Sequence, residues 1–317
     1  MYRFSVTIAA DKNWINREKS STLQLMKPSK QNRNLFSRRS FGGIAAFGAA
    51  ALANTNARAQ NRDASVSLRI LCYNIHYGQG NDGKSDIPRI AAVIKQLNPD
   101  LVALQEIDVH VARSGRIHEL RMLAEETGMA GRFGPTQHYQ GGLYGNGILS
   151  KLPFHDVHIQ PLPYTEATPT AATYPRAAVA AIVEAANGKR LRFISTHFQH
   201  ASFEEDRFAE AKAINDHFAA DDPANDTMGP EAAKLPTILA GDLNAVPGSP
   251  PIVELQKKWH FAVEDDPVPS SPSKAPKNRI DFILHRLSDP VKVTTHYVVD
   301  EKVASDHNPV FAEVEIH

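Results

Sequence analysis

Carboxylate, amide and imidazole side chains interrupt this sequence at the ends of its apolar runs. Asn74 closes "SLRILCYN", Glu106 lies in "LQEID", and His197 closes "RFISTH". Asp242 and Asn244 follow "TILAG", Asp281 opens "DFIL", and Asp306-His307 precede the final run "VFAEVEI". A carboxylate beside a buried run is costly unless it is paired or binds a cation. One such residue is ordinary, but the recurrence at successive strand ends points to a reaction centre. Glu, Asp and Asn together suit a hard divalent ion, which takes oxygen ligands and keeps several waters. An acid beside a histidine favours the imidazolium and suits proton transfer. Phosphoester hydrolysis asks for both, because a cation and fixed donors must meet the charge that builds on the phosphoryl oxygens.

Each residue alone has a plainer use. Asp242-x-Asn244 is a common Asx-turn pattern, and Asn74 could simply end a strand. Gln105 and Glu106 are adjacent, so both cannot face solvent from a regular strand. His197 and His200, three apart, lack a third close ligand for zinc. The glycines of "GQGNDG" precede no Gly-Lys-Ser/Thr, which excludes a P-loop. Tyr144 and Asn146 share a strand with either a substrate-facing or a loop-stabilising role.

The elements that must carry these residues follow from periodicity. Strands are expected over 67–76, 101–107, 144–151, 177–185, 189–198, 236–245, 279–286, 291–299 and 309–316. Helices are expected over 87–98, 117–128, 203–220 and 250–258. Asn187-Gly188 is a hairpin turn, and 266–276 is a Pro/Ser-rich surface loop. Strands and crossover helices in both halves imply an α/β fold of two packed sheets with helices outside. Ligands then sit at strand ends, where loops carry chemistry.

Arg38-Arg39 before an alanine-rich apolar run, and Ala57-Arg58-Ala59 before Gln60, read as a twin-arginine-type signal peptide. Residues 1–59 are expected to be this leader, starting at Met1 or Met26, with residues 60–317 as one domain, periplasmic or secreted. The run 41–53 is too short for a permanent anchor, so no stable membrane insertion is expected. The leader holds ten of the 35 Lys and Arg and two of the 35 Asp and Glu, leaving 25 against 33. A net charge near −8 disfavours unspecific polyanion binding. Cys72 is the one cysteine, so no intramolecular disulfide forms. A monomer is expected.

In order, "YNIHYG", "LQEID", "YGNGILS", "STHF", "GDLNAVPGS", "RIDFIL" and "SDHNPV" resemble the endonuclease/exonuclease/phosphatase superfamily. That superfamily includes DNase I-like nucleases, abasic-site endonucleases, inositol-polyphosphate 5-phosphatases and neutral sphingomyelinases. The start of the domain and "GGLYGNGILSK" resemble its bacterial metal-dependent hydrolase branch. The resemblance implies a four-layer α/β-β/α sandwich of two packed mixed sheets and a divalent-metal phosphoesterase using Mg²⁺, with Mn²⁺ or Ca²⁺ as alternatives. It makes Glu106 the principal metal ligand, with Asn74 and Asp306 beside the metal directly or through water. Asp242 would orient or deprotonate the attacking water, and Asn244 would hold that water or a phosphoryl oxygen. His307 would contact the phosphate with Asp281 bonded to it, and His197 would protonate or stabilise the leaving oxygen. Ser305 would support the shell. Arg176 resembles an arginine near the phosphate, although Pro175 and Ala177 stand where many relatives carry an acid. Asn146 would touch substrate. The expected substrate is a small or lipid-derived phosphoester. Nucleic acid is the alternative, and a non-catalytic binding module of the same fold a second one.

Overall fold

Twelve strands form two six-stranded mixed sheets in the computed structural model, which describes residues 65–168, 172–262 and 268–317. The expected leader, 1–59, lies outside the described residues. The first sheet has the order β11-β12-β1-β2-β4-β3, and the second β5-β6-β7-β8-β10-β9. The first sheet holds β1 (Val66–Asn74), β2 (Leu101–Val109), β3 (Ala130–Tyr139), β4 (Gly142–Ser150), β11 (Val291–Val298) and β12 (Val310–Ile316). The second sheet holds β5 (Phe154–Leu162), β6 (Arg176–Glu184), β7 (Arg190–His197), β8 (Thr237–Asp242), β9 (Trp259–Phe261) and β10 (Asp281–Arg286). Only β1–β2 and β7–β8 pair in parallel, and each parallel pair lies at the centre of its sheet. A parallel neighbour needs a crossover, and helices supply it in both cases.

Alternation along the strands builds the layers. Leu68, Ile70 and Cys72 of β1 join Leu101 and Ala103 of β2, Phe193 of β7 and Ile238 and Ala240 of β8 in a core between the sheets. Leu71 and Tyr73 point the other way, into a core under α1 (Ile87–Leu97) and α2 (Glu119–Thr127). Ile194 and Leu239 pack under α3 (Glu204–Phe218) and α5 (Pro250–Gln256), while the one-turn α4 is Pro230–Ala233. Helix α1 shows why such a segment is helical. Asp86 caps it by accepting from the Arg89 amide, Ile87, Ile90, Ala91 and Ile94 share its buried face, and Asn98 ends it at φ 50°. The result is the expected four-layer α/β-β/α sandwich.

Three strands have no signal in the sequence reading. β3 and β5 are edge strands, half exposed and interrupted by Pro135 and Pro161, and β9 has three residues. An edge strand needs no continuous apolar run and tolerates proline on its outer side. Among the described residues no helix is long and apolar enough to cross a membrane. Cys72 is buried and unbridged.

Candidate active site

The site grows out of the core between the sheets. Residues 68, 70 and 72 face that core, and Asn74 is next in the same phase. The same step leads from 101 and 103 to Gln105, from 191 and 193 to Ser195 and His197, from 238 and 240 to Asp242, and from 283 back to Asp281. Period-two geometry therefore aims all these polar side chains into one inter-sheet layer, at the end where the layer opens to solvent. Gln105 bridges the sheets below, donating to Ser195 Oγ at 3.3 Å and accepting from Cys72 Sγ at 3.7 Å.

Glu106 breaks the alternation. Its φ is 60°, and the pairing of β2 with β4 jumps from Leu104↔Gly147 to Ile107↔Gly145. One extra residue on β2 makes a β-bulge. Beyond it Ile107 and Val109 face the outer core that Val102 and Leu104 face before it. The slip lets consecutive residues both serve the inner layer: Gln105 as floor and Glu106 as wall. Asn244 has φ 47°, a conformation asparagine tolerates, and its amide N–H donates to Asp242 Oδ1 at 2.9 Å. The Asx turn is thus real, and it also positions the Asn244 side chain.

These residues converge. Asn74 Nδ2 donates to Glu106 Oε1 and Asp242 Oδ2, both at 3.0 Å, and its Oδ1 accepts from the His76 amide at 3.0 Å. Its nitrogen is spent as a donor, so the side chain clamps two carboxylates. Ser305 Oγ donates to the Asn74 carbonyl at 2.7 Å and ties the "SDH" turn to β1. Asp281 holds His307 Nδ1 at 2.9 and 3.1 Å, leaving Nε2 pointing to Asp242 Oδ2 at 3.8 Å. Arg176 Nη1 meets His197 Nδ1 at 3.1 Å, and His197 Nε2 lies 3.5 Å from Asp242 Oδ2. Glu106, Arg176, His197, Asp242, Asn244, Asp306 and His307 line one cleft of about 560 Å³.

Electrostatics gives the two imidazoles different states. Burial favours a neutral His307, but the Asp281 and Asp242 carboxylates outweigh it and raise its pKa well above the ordinary value. His197 is pushed well below the ordinary value by burial, then by the Arg176 charge. Arginine only donates, so Nδ1 of His197 accepts, while its Nε2 lies 3.1 Å from Asn244 Nδ2 and 3.5 Å from Asp242 Oδ2. Asp242 is raised, first by burial and then by Asp281, against the pull of His307 and the Asn244 and Asn74 hydrogen bonds.

The cleft has a cation-seeking and an anion-seeking side. Glu106 forms no ion pair among the described residues, and Asp306, 41 % exposed, has only His76 at 3.8 Å. Two carboxylates without a strong cationic partner fit a hard divalent ion. Asp242, Asp281 and His307 offer another ligand set within 4.8 Å. It suits such an ion less well, because its nitrogen donor His307 is held by Asp281 as an imidazolium. Opposite, Arg176 is buried, forms no ion pair among the described residues, and has an Nε without a hydrogen-bond partner. A buried guanidinium so placed calls for an anion.

One expectation needs correction. Asn146 does not reach the cleft: it is buried and its Nδ2 donates to the Ala177 carbonyl at 2.9 Å, stitching β4 to β6 across the sandwich. Burial, and then the Arg176 charge, favours a neutral His197, which suits the stabilising rather than the protonating form of its expected role. Residues absent from the sequence reading also line the cleft: Arg113, Gln137, Tyr139, Tyr174 and Ser271. Arg113 comes from the loop after β2, and no apolar run marks it.

The model of the "Endonuclease/Exonuclease/phosphatase family" matches residues 71–307. Among solved structures, the chain resembles an endonuclease/exonuclease/phosphatase from Beutenbergia cavernae DSM 12333, with 23% identity, TM-score 0.64, and coverage of 79% of this chain and 72% of that one. One from Bacteroides vulgatus has 22% identity and TM-score 0.61, covering 80% and 100%. The Bacteroides thetaiotaomicron mannosyl-6-phosphatase Bt3783 has 18% identity and TM-score 0.57, covering 78% and 99%. No curated protein matches. At these identities the structures establish the fold.

Proposed function

The chain belongs to the endonuclease/exonuclease/phosphatase family, and from that premise we propose that it is a divalent-metal-dependent phosphoesterase acting by in-line attack of water. The observation that carries this reading is the division of one cleft. Carboxylates without strong cationic partners stand on one wall, and on the other stand a buried arginine and a histidine held as imidazolium. Glu106 and Asp306 would hold the ion, Mg²⁺ or a similar hard cation, with Asn74 fixing Glu106 against Asp242. Bound there, the ion supplies charge stabilisation to the phosphoryl group.

The remaining work falls to the chain itself. Asp242, its pKa raised, takes the proton from the attacking water. His307, oriented by Asp281, donates a charged hydrogen bond to a phosphoryl oxygen from Nε2. Arg176 neutralises a second oxygen, while neutral His197 fixes the guanidinium by accepting at Nδ1. Asn244 holds the water or a non-bridging oxygen.

The substrate in this reading is a small or lipid-derived phosphoester, and a nuclease activity is the alternative. The fold accommodates a mannosyl-6-phosphatase among its neighbours. The net negative charge of residues 60–317 runs against tight polyanion binding. Export through the twin-arginine route belongs to the same proposal and rests on Arg38-Arg39 and Ala57-Arg58-Ala59. The test is hydrolysis of bis-p-nitrophenyl phosphate with Mg²⁺ or Mn²⁺, with and without EDTA, by wild type, Asp242→Ala and His307→Ala. Wild type should be active and EDTA-sensitive, and each variant should lose about 10²–10⁴-fold in kcat. Equal rates for all three proteins reject the assignment.

A further inference from the structure

A buried acid stands behind the arginine of the cleft. Glu210 is fully buried in α3, one turn after Asp206 and Arg207. Its Oε2 accepts from the Gln199 amide at 2.8 Å, and its Oε1 has no partner. Gln199 comes two residues after His197, and its Nε2 donates at 3.0 Å to the carbonyl of Tyr174, two residues before Arg176. Glu210 therefore anchors a residue that joins both arms of the Arg176–His197 pair, whose Nη1 and Nδ1 lie 3.1 Å apart. The arginine is buried in turn, and its Nε is unpartnered. Asp206 Oδ2 and Arg207 Nε are unpartnered as well, so the charges gathered here are incompletely matched.

A buried guanidinium without a counter-ion is costly. Two anions compete to relieve Arg176: one that enters the cleft, and the Glu210 carboxylate behind it. Burial pushes the Glu210 pKa up to about 8, against the pull of the Gln199 amide and of Arg176. Below that pH the acid is neutral and Arg176 keeps its full charge for the cleft. Above it the carboxylate takes up part of that charge, and by reciprocity an anion in the cleft opposes the ionisation. The other charges facing Glu210 are Asp206 and Arg207 on its own helix, one of each sign, and Arg176 from β6. From the loop before α3 it meets the Gln199 amide, followed by His200, which lines the cleft.

We infer that Glu210 is a positioning residue for anion binding: uncharged, it leaves Arg176 to the phosphoryl group, and charged, it draws on the guanidinium and weakens the hold of the cleft on anions. The inference rests on the phosphoesterase reading for the place of the phosphoryl group, and it adds a proton-linked control of that site from a residue that touches no substrate.

Calorimetric titration with sulfate in EDTA, from about pH 6 to 9.5, reads this coupling without turnover or metal. Sulfate is a dianion across that range, so any change comes from the protein. The proteins are wild type, Glu210→Gln and Glu210→Leu. The leucine variant serves if the glutamine variant, with its orphaned NH₂ group, does not fold. Wild type and variant should bind sulfate about equally at about pH 6. By about pH 9.5 wild type should bind about fivefold or more weaker than the variant, the low end for coupled sites. Other groups that titrate at the cleft are common to both proteins, so the ratio of their Kd values isolates Glu210. A Glu210 that only supports the fold changes that ratio by the same factor at every pH, and that result overturns the proposal. So does a ratio that falls as pH rises, or the absence of sulfate binding by wild type at about pH 6. Hydrolysis of bis-p-nitrophenyl phosphate with Mg²⁺ reports separately on the phosphoesterase reading. A protein that hydrolyses it and shows a constant ratio loses the role of Glu210 alone, and one that does not hydrolyse it loses the phosphoesterase reading whatever sulfate does.

Discussion

Two buried glutamates should make the protein less stable as pH rises. Glu119, the first residue of α2, accepts from the Asp108 amide at 2.8 Å, and Glu210 in α3 accepts from the Gln199 amide at 2.8 Å. Each thereby fixes backbone two residues past a cleft residue, Glu106 in one case and His197 in the other. Both are fully buried, and the second oxygen of each has no partner. Burial raises both pKa values from 4.5 to about 8. Asp108, Arg113 and Glu106 surround the first, and Arg176, Asp206 and Arg207 the second, with smaller effects. The unfolded chain would release these protons near pH 4.5, the folded one near pH 8. Between those values the native state binds more protons, so stability falls with rising pH. The upper bound is about 5 kcal/mol per group, and local relaxation should reduce the observable loss to about 2–3 kcal/mol. The assay is urea denaturation from about pH 5 to 8.5 on wild type, Glu119→Gln and Glu210→Gln. Glutamine mimics the protonated acid and keeps the accepting oxygen. Any cost of its orphaned NH₂ group is independent of pH, so the slope is what reports. Other groups change protonation over the same range, Asp242 with its pKa raised to about 7 among them, but the difference between wild type and each variant removes their shared contribution. Each variant should lose part of the wild-type slope and gain relative stability toward pH 8.5. A wild-type-minus-variant difference that is constant across the range refutes the reasoning.

Two other outcomes follow from the same geometry. Glu106→Gln should raise the Mg²⁺ concentration for half-maximal hydrolysis by about 10–100-fold, with rescue at high metal, measured by metal titration of the bis-p-nitrophenyl phosphate rate. Arg192→Met should destabilise by about 3–5 kcal/mol in urea, because it strands the buried Asp226 carboxylate that Arg192 Nη1 meets at 2.6 and 2.8 Å.

Much of the site is legible in the sequence for one geometric reason. A strand that buries one face announces its phase, and a polar residue arriving in that phase at the strand end must sit where the layer opens. Asn74, His197 and Asp242 satisfy this rule from their own segments, and Asp281 does so from β10 read backwards. What escapes the sequence depends on partners from other segments. Arg113 matters because Asp108, Tyr77, Tyr139 and Tyr144 close around it. Asn146 obeys the same phase rule yet is consumed by the Ala177 carbonyl of the facing sheet, which only the packing reveals. His197 differs from His307 in whether an arginine or an aspartate of another strand reaches its Nδ1, which neither segment shows by itself.

Glu106 marks where a phase argument stops. Alternation assigns Gln105 and Glu106 to opposite faces, and a regular β2 would turn Glu106 toward the outer core under α1 and α2, where a carboxylate would be stranded. The bulge at φ 60° removes that conflict by spending one residue outside the ladder. Its energetic cost is borne by the hydrogen bond from Asn74 to Glu106 and by Glu119, which grips the backbone just downstream at Asp108. The carboxylate wall and the strained strand end are therefore one device: the irregularity that hides Glu106 from a periodic reading is what lets its carboxylate face the cleft.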